Sequence, residues 1–80
     1  MYTIKDDEVY ENGRPTGIKP AYTKKGLRLQ YNWSKNTLAR RLETIEHMIY
    51  ERKRDGTYER SKKTFSPTEV CAIYNWFGLP

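Results

Sequence analysis

Ser66-Pro67-Thr68-Glu69-Val70-Cys71-Ala72-Ile73-Tyr74-Asn75-Trp76-Phe77-Gly78 spells out a helix from its first cap to its stop. Ser66 and Glu69 have the spacing of a capping box: the hydroxyl accepts from the Glu69 backbone, the carboxylate reaches back, and Pro67 sits where its missing N–H costs nothing. Val70, Ile73, Tyr74 and Phe77 fall at i, i+3, i+4 and i+7 as one apolar stripe, and Gly78 supplies the left-handed residue that ends it. The spacing predicts a short helix over about 67–77, with Phe65 stapled to Val70 and Leu79 folded back onto Tyr74.

Upstream of it, Leu38, Leu42, Ile45 and Ile49 lie on one arc of a longer helix, with Glu43, His47, Glu51 and Arg54 opposite. Ser34 or Asn36 is the expected N-cap and Asp55-Gly56 the stop, so this amphipathic helix should run over about 35–54. The first 33 residues carry Gly13, Gly17, Gly26, Pro15 and Pro20 among short β-prone runs and read as strands. Asn12-Gly13 is a type I′ hairpin signal, with Pro15 marking an edge strand. Leu27, Leu29 and Tyr31 alternate with Arg28 and Gln30 as in a half-buried strand, which a second hairpin through Lys24-Lys25-Gly26 would pair with Ala21-Tyr22-Thr23. The fold expected is α+β: a small antiparallel sheet of three to four strands within residues 1–32, packed by the long helix and closed by the short one.

At 80 residues the chain is one domain with one thin core. Its aromatic share of 14% argues against disorder. Cys71 is the only cysteine, which excludes an intramolecular disulfide and fits a reducing cytoplasm. No apolar run is long enough to span a membrane, and no signal-peptide pattern opens the sequence. One His and one Cys cannot supply a zinc ligand set, and the acidic Asp6-Asp7-Glu8 run does not converge if it lies in a strand. No phosphate-cradling glycine loop or nucleophile elbow is present. Catalysis, a metal and a cofactor are therefore not expected.

The formal charge is +5, and its distribution is uneven. From Asn12 to Leu42 there is no Asp or Glu, but there are eight basic residues: Arg14, Lys19, Lys24, Lys25, Arg28, Lys35, Arg40 and Arg41. Tyr22, Tyr31 and Trp33 are interleaved with them, and cations among aromatic planes suit a phosphate backbone with stackable bases. A second basic run, Arg52-Lys53-Arg54 with Arg60, Lys62 and Lys63, spans the linker between the helices. On the long helix, pairing of Arg40 with Glu43, Glu43 with His47 and Glu51 with Arg54 would neutralise the outer face, which directs attention to the strand and loop surface.

The stretch Val9-Tyr10-Glu11-Asn12-Gly13-Arg14, Lys19-Pro20, Lys25-Gly26-Leu27-Arg28-Leu29 and Ala39-Arg40-Arg41-Leu42 loosely resembles the β-rich lead-in of phage-type HNH endonucleases. Arg40 stands where that pattern has a histidine, and no His-Asn motif follows. The resemblance therefore implies a small phage-type accessory protein associated with DNA and excludes the nuclease chemistry. A sheet laid in the major groove, as in integrase N-terminal domains, is the corresponding fold-level analogy.

The function expected is non-enzymatic binding of nucleic acid, DNA before RNA. The predicted contacts are Arg14, Lys19, Lys24, Lys25 and Arg28 on the sheet and loops, Tyr22 and Trp33 for stacking, and Lys62 and Lys63 from the linker. The alternative is an inhibitor, of host-takeover or anti-defence type, that docks on a protein handling nucleic acid, since Tyr, Trp and Arg also dominate protein hot spots.

Overall fold

Asp6-Asp7 and Asn12-Gly13 are both two-residue turns with positive φ at each position, at 52° and 63° and at 53° and 79°. That conformation matches the twist of the flanking strands, so each turn folds a hairpin. The computed structural model describes all 80 residues, Met1–Pro80. In it the two turns join β1 (Tyr2–Lys5), β2 (Glu8–Glu11) and β3 (Arg14–Pro15) into an antiparallel sheet of order β1-β2-β3. Ile4 lies opposite Val9 and Glu11 opposite Arg14. Both outer edges are modified. At β1 the Asn75 side chain accepts from Tyr2 N at 2.8 Å and donates to Tyr2 O at 3.4 Å, occupying the place of a neighbouring strand. At β3 the pairing of Tyr10 with Pro15 puts a residue without an N–H at the edge.

The remainder is helical: α1 (Lys24–Tyr31), α2 (Lys35–Glu43), α3 (Glu46–Ile49) and α4 (Pro67–Phe77). The α+β class, the three-stranded sheet, a helix starting after Ser34 and a C-terminal helix over 67–77 are all as the sequence indicates. The capping box of α4 is complete, with Glu69 N donating to Ser66 Oγ at 3.3 Å and Ser66 N donating to Glu69 Oε1 at 2.8 Å.

One segment differs outright. Leu27, Leu29 and Tyr31 are in a helix, not a strand, and no hairpin forms through Lys24-Lys25-Gly26. Thr23 caps α1 by accepting from Gly26 N at 2.9 Å. Leu27 and Tyr31, four residues apart, turn inward while Leu29 remains 63% exposed. Five alternating residues contain an i, i+4 pair, so both periods fit, and the Thr23 cap decides between them. Gly26 is required for close approach rather than for a turn: a Cβ there would lie 2.9 Å from Ala21 Cβ.

The second helical stretch begins at Lys35, is broken at Thr44-Ile45, and ends at Ile49. Thr44 Oγ1 donates to Arg41 O at 2.6 Å, and Ile45 leaves helical geometry at φ −125°, ψ 22°. A hydroxyl competing for a ladder carbonyl before a second β-branched residue favours such a break. The break lets Ile45, Ile49 and Tyr50 enter the core with Leu38 and Leu42. Residues 51–59 form a small hairpin, with Arg52 bridged to Tyr58 and Lys53 N donating to Thr57 O at 2.7 Å; Asp55-Gly56 is its turn.

Eleven apolar side chains form the core, from Val9 of the sheet through Leu27, Leu38, Leu42, Ile45, Ile49, Tyr50 and Phe65 to Val70, Ile73 and Tyr74. Helix α4 lies against β1 and α3, and α1 against α2. Tyr74 ties the two halves together. Its hydroxyl accepts from Ala21 N at 3.1 Å and donates to Gln30 Oε1 at 2.6 Å, and Gln30 Nε2 donates to Lys19 O at 2.7 Å. Burial raises the pKa of this hydroxyl, so it stays protonated and able to donate.

Candidate functional site

Helices α1 and α2 are joined by only Asn32, Trp33 and Ser34. Asn32 adopts the left-handed conformation at φ 55°, ψ 40°, and the N–H groups of Asn32 and Trp33 return to the carbonyls of Leu29 and Arg28. This closes α1 and turns the chain at once. Ser34 then caps α2 by accepting from Thr37 N at 3.2 Å. Trp33 stacks on Tyr31 at 4.3 Å and 13°, meets Phe77 edge-on at 5.4 Å and carries the Arg41 guanidinium 5.0 Å from its ring centre. Four side chains thus fix the short connection.

The linker after the small hairpin crosses the start of α1. Thr23 bridges Thr64, Lys24 N donates to Lys63 O at 3.0 Å, and Phe65 N donates to Tyr22 O at 2.8 Å. Between this strap and the two helices lies a groove of about 790 Å³. Its cations come from three segments: Lys24, Lys25 and Arg28 of α1, Lys35 of α2, and Arg60 and Lys63 of the strap. Glu43 is the only carboxylate in the wall.

Two of the six cations are partly committed. Lys24 Nζ donates to Arg60 O at 2.6 Å and lies 5.0 Å from the Tyr50 ring centre, and burial lowers its pKa below the ordinary lysine value. Burial likewise pushes the Tyr50 hydroxyl up to about 12, against the pull of Arg60. Arg60 pairs with Glu46 at 2.9 Å and more distantly with Glu43 at 3.8 Å. Lys25, Arg28, Lys35 and Lys63 take part in none of the molecule's four ion pairs. Four positive charges without an ion-pair partner around one groove make its local potential positive.

Of the residues singled out from sequence, the structure brings Lys24, Lys25, Arg28 and Lys63 together here. Arg14 is on β3 and Lys19 in the loop after it, and neither lines the groove. Tyr22 is half-buried against the core, and Trp33 is enclosed in its aromatic stack, so neither ring lies open beside the cations. Lys62 is a structural residue, with both Glu69 oxygens at 2.6 Å and Phe65 beneath it. Lys35 and Arg60 are the additions. Thr23 as an N-cap, followed by Leu27 and Tyr31 at helical spacing, is the signal that would have placed Lys35 across from α1.

The expected neutralisation of the long helix does not occur. Glu43 turns to Arg60 rather than Arg40, and neither Glu43 with His47 nor Glu51 with Arg54 forms an ion pair. No group of three or more His, Cys, Asp or Glu side chains is placed to hold a metal ion, and no helix is long and apolar enough to cross a membrane. No protein-family model, curated protein or solved structure matches the chain.

Proposed function

We propose that the protein binds nucleic acid, duplex DNA in first place, by seating one phosphate backbone in the groove between α1, α2 and the 60–64 strap. The observation that carries this reading is the set of four unpaired cations, Lys25, Arg28, Lys35 and Lys63, converging from three segments on one groove. The site moves from the sheet surface expected from sequence to the helices, while the acid-free stretch still supplies most of its charge. No step of this function requires a cofactor, a metal or bond chemistry, so the protein acts as a binding protein.

An inhibitor docking on an acidic protein surface would draw on the same cations. It would also need apolar anchors, because packed, desolvated side chains dominate protein hot spots. The large apolar residues of the groove are not open anchors of that kind: Leu38, Leu42 and Tyr50 expose only 5%, 1% and 8% of their surface. The phosphate reading is therefore favoured.

Binding is tested by fluorescence anisotropy on duplex and single-stranded probes over a range of salt. Four phosphate contacts give a slope of log K against log salt of about −3.6, and raising salt from about 50 to 200 mM then weakens binding on the order of a hundredfold. The triple variant Lys25→Glu, Arg28→Glu, Lys35→Glu should abolish binding with the far-UV circular dichroism unchanged. Absence of wild-type binding at low salt would refute the proposal and leave the protein-docking reading in its place.

A further inference from the structure

The outer face of α2 differs in kind from the groove beside it. Lys35, Asn36, Ala39, Arg40 and Glu43 are all exposed and fall at i, i+1, i+4, i+5 and i+8, one continuous arc that starts beside buried Leu38 and Leu42 and runs away from them. Lys35, Ala39 and Glu43 form a wall of the groove, and Asn36 and Arg40 lie further round the helix, outside it. The side-chain hydrogen bonds of this helix are those of Ser34, Thr37 and Thr44 at its ends, and its one ion pair is that of Glu43. The Asn36 amide and the Arg40 guanidinium are thus exposed and uncommitted, one turn apart, with small Ala39 beside them.

From this arrangement we infer that α2 is a reading helix. With one DNA strand seated in the groove, α2 enters the adjacent major groove, and Asn36 and Arg40 are the specificity-determining residues. The inference rests on the proposed function and goes beyond it, since phosphate contacts position a protein without specifying sequence.

Several features of the chain agree. A major groove about 12 Å wide admits a single α-helix. The three-residue connection after α1 is the kind that presents a second helix to that groove, with its first turns nearest the base edges. Asn36 is in the first turn and Arg40 in the second. Their chemistry fits planar edges: an asparagine amide matches adenine N6 and N7, and an arginine fork matches guanine O6 and N7. Ala39 leaves room for the backbone to approach and offers an apolar contact for a thymine methyl group. The first turn of α2 carries no acid, and its last turn carries Arg40 and Arg41. The connection is held rigid by Tyr31, Trp33, Phe77 and Arg41, so the helix is oriented before it meets DNA.

The test is selection from a duplex library randomised over about two helical turns, followed by anisotropy on the enriched and scrambled duplexes. The wild-type protein should enrich a motif. Asn36→Ala should lose preference at one base position, and Arg40→Lys, which keeps the charge but not the fork, at another, each by about tenfold to a hundredfold. The salt slope should be the same in both variants as in the wild type. Both positions are exposed, and an unchanged thermal midpoint confirms the fold. Salt-dependent binding with no enriched motif, or with a motif both variants retain, overturns the reading helix and leaves the groove standing; no binding at low salt overturns both.

Discussion

Lys62 and Lys63 are neighbours on the chain with opposite surroundings, and they stand for two regions of the molecule. Around α4 the charges are matched: Lys62 is clasped by Glu69, which also completes the Ser66 cap. Around α1 and α2 they are not: Lys63 joins Lys25, Arg28 and Lys35, and the one carboxylate in the wall, Glu43, is turned to Arg60. Charge in the first region holds the chain in shape, and charge in the second is left unpaired. The difference teaches that proximity in a basic run says little about what a lysine does; the nearest carboxylate says more.

Changes around α4 should therefore alter stability and leave affinity alone, whereas changes around the groove should do the reverse. Tyr74→Phe has the largest expected effect on stability and bridges the two regions. It leaves Ala21 N and Gln30 Oε1 without their partner, and should lower unfolding free energy by about 1–3 kcal/mol in urea titration. Because Tyr74 seats α1, some loss of affinity should accompany it; loss of stability without any loss of affinity would show that α1 is positioned by α2 alone.

Ser66→Ala should cost about 1 kcal/mol by removing the N-cap bond of α4, with affinity unchanged once unfolded protein is allowed for. A matching fall in intrinsic affinity would break the separation of the two regions.

The smallest effect is with acid. Burial would raise the Glu69 carboxyl, but the Lys62 ammonium and the Ser66 bonds outweigh it and hold the group below its ordinary 4.5. A carboxyl depressed in the folded state contributes stability that is complete above the unfolded value and is lost as pH falls through the folded one. Thermal midpoints should thus decline as pH drops below about 4.5, less steeply in Glu69→Gln. An identical decline in the variant would assign the acid sensitivity elsewhere.

Sequence patterns were clearest where they were long or doubly signalled. The α4 helix has a cap, a stripe and a stop, and all three are present. The Asn12-Gly13 turn has one conformation available to it that suits a hairpin, and adopts it. The α1 segment was not legible as a helix because Gly26 resembles a turn residue, and because Leu27 and Tyr31 satisfy two periods at once, with Leu29 completing the strand-like alternation. The groove inherits that ambiguity: Lys24, Lys25 and Arg28 belong to it because they are on a helix, and Lys35 joins them only across the Asn32 turn. The acid-free stretch was visible as charge, but the pairing of Glu43 with Arg60 joins residues distant in sequence and had no local signal.

The two guarded edges of the sheet bear on how the protein behaves in company. An open strand edge is a template on which a second molecule can build, and on a polyanion that crowds many copies together such templates would meet often. Here Asn75 fills the bonding positions of Tyr2 on one side, and Pro15 removes a donor on the other. If the proposed binding to nucleic acid holds, copies assembled side by side on one polymer should remain separate molecules, able to leave one by one when the salt rises, rather than seeding a fibre.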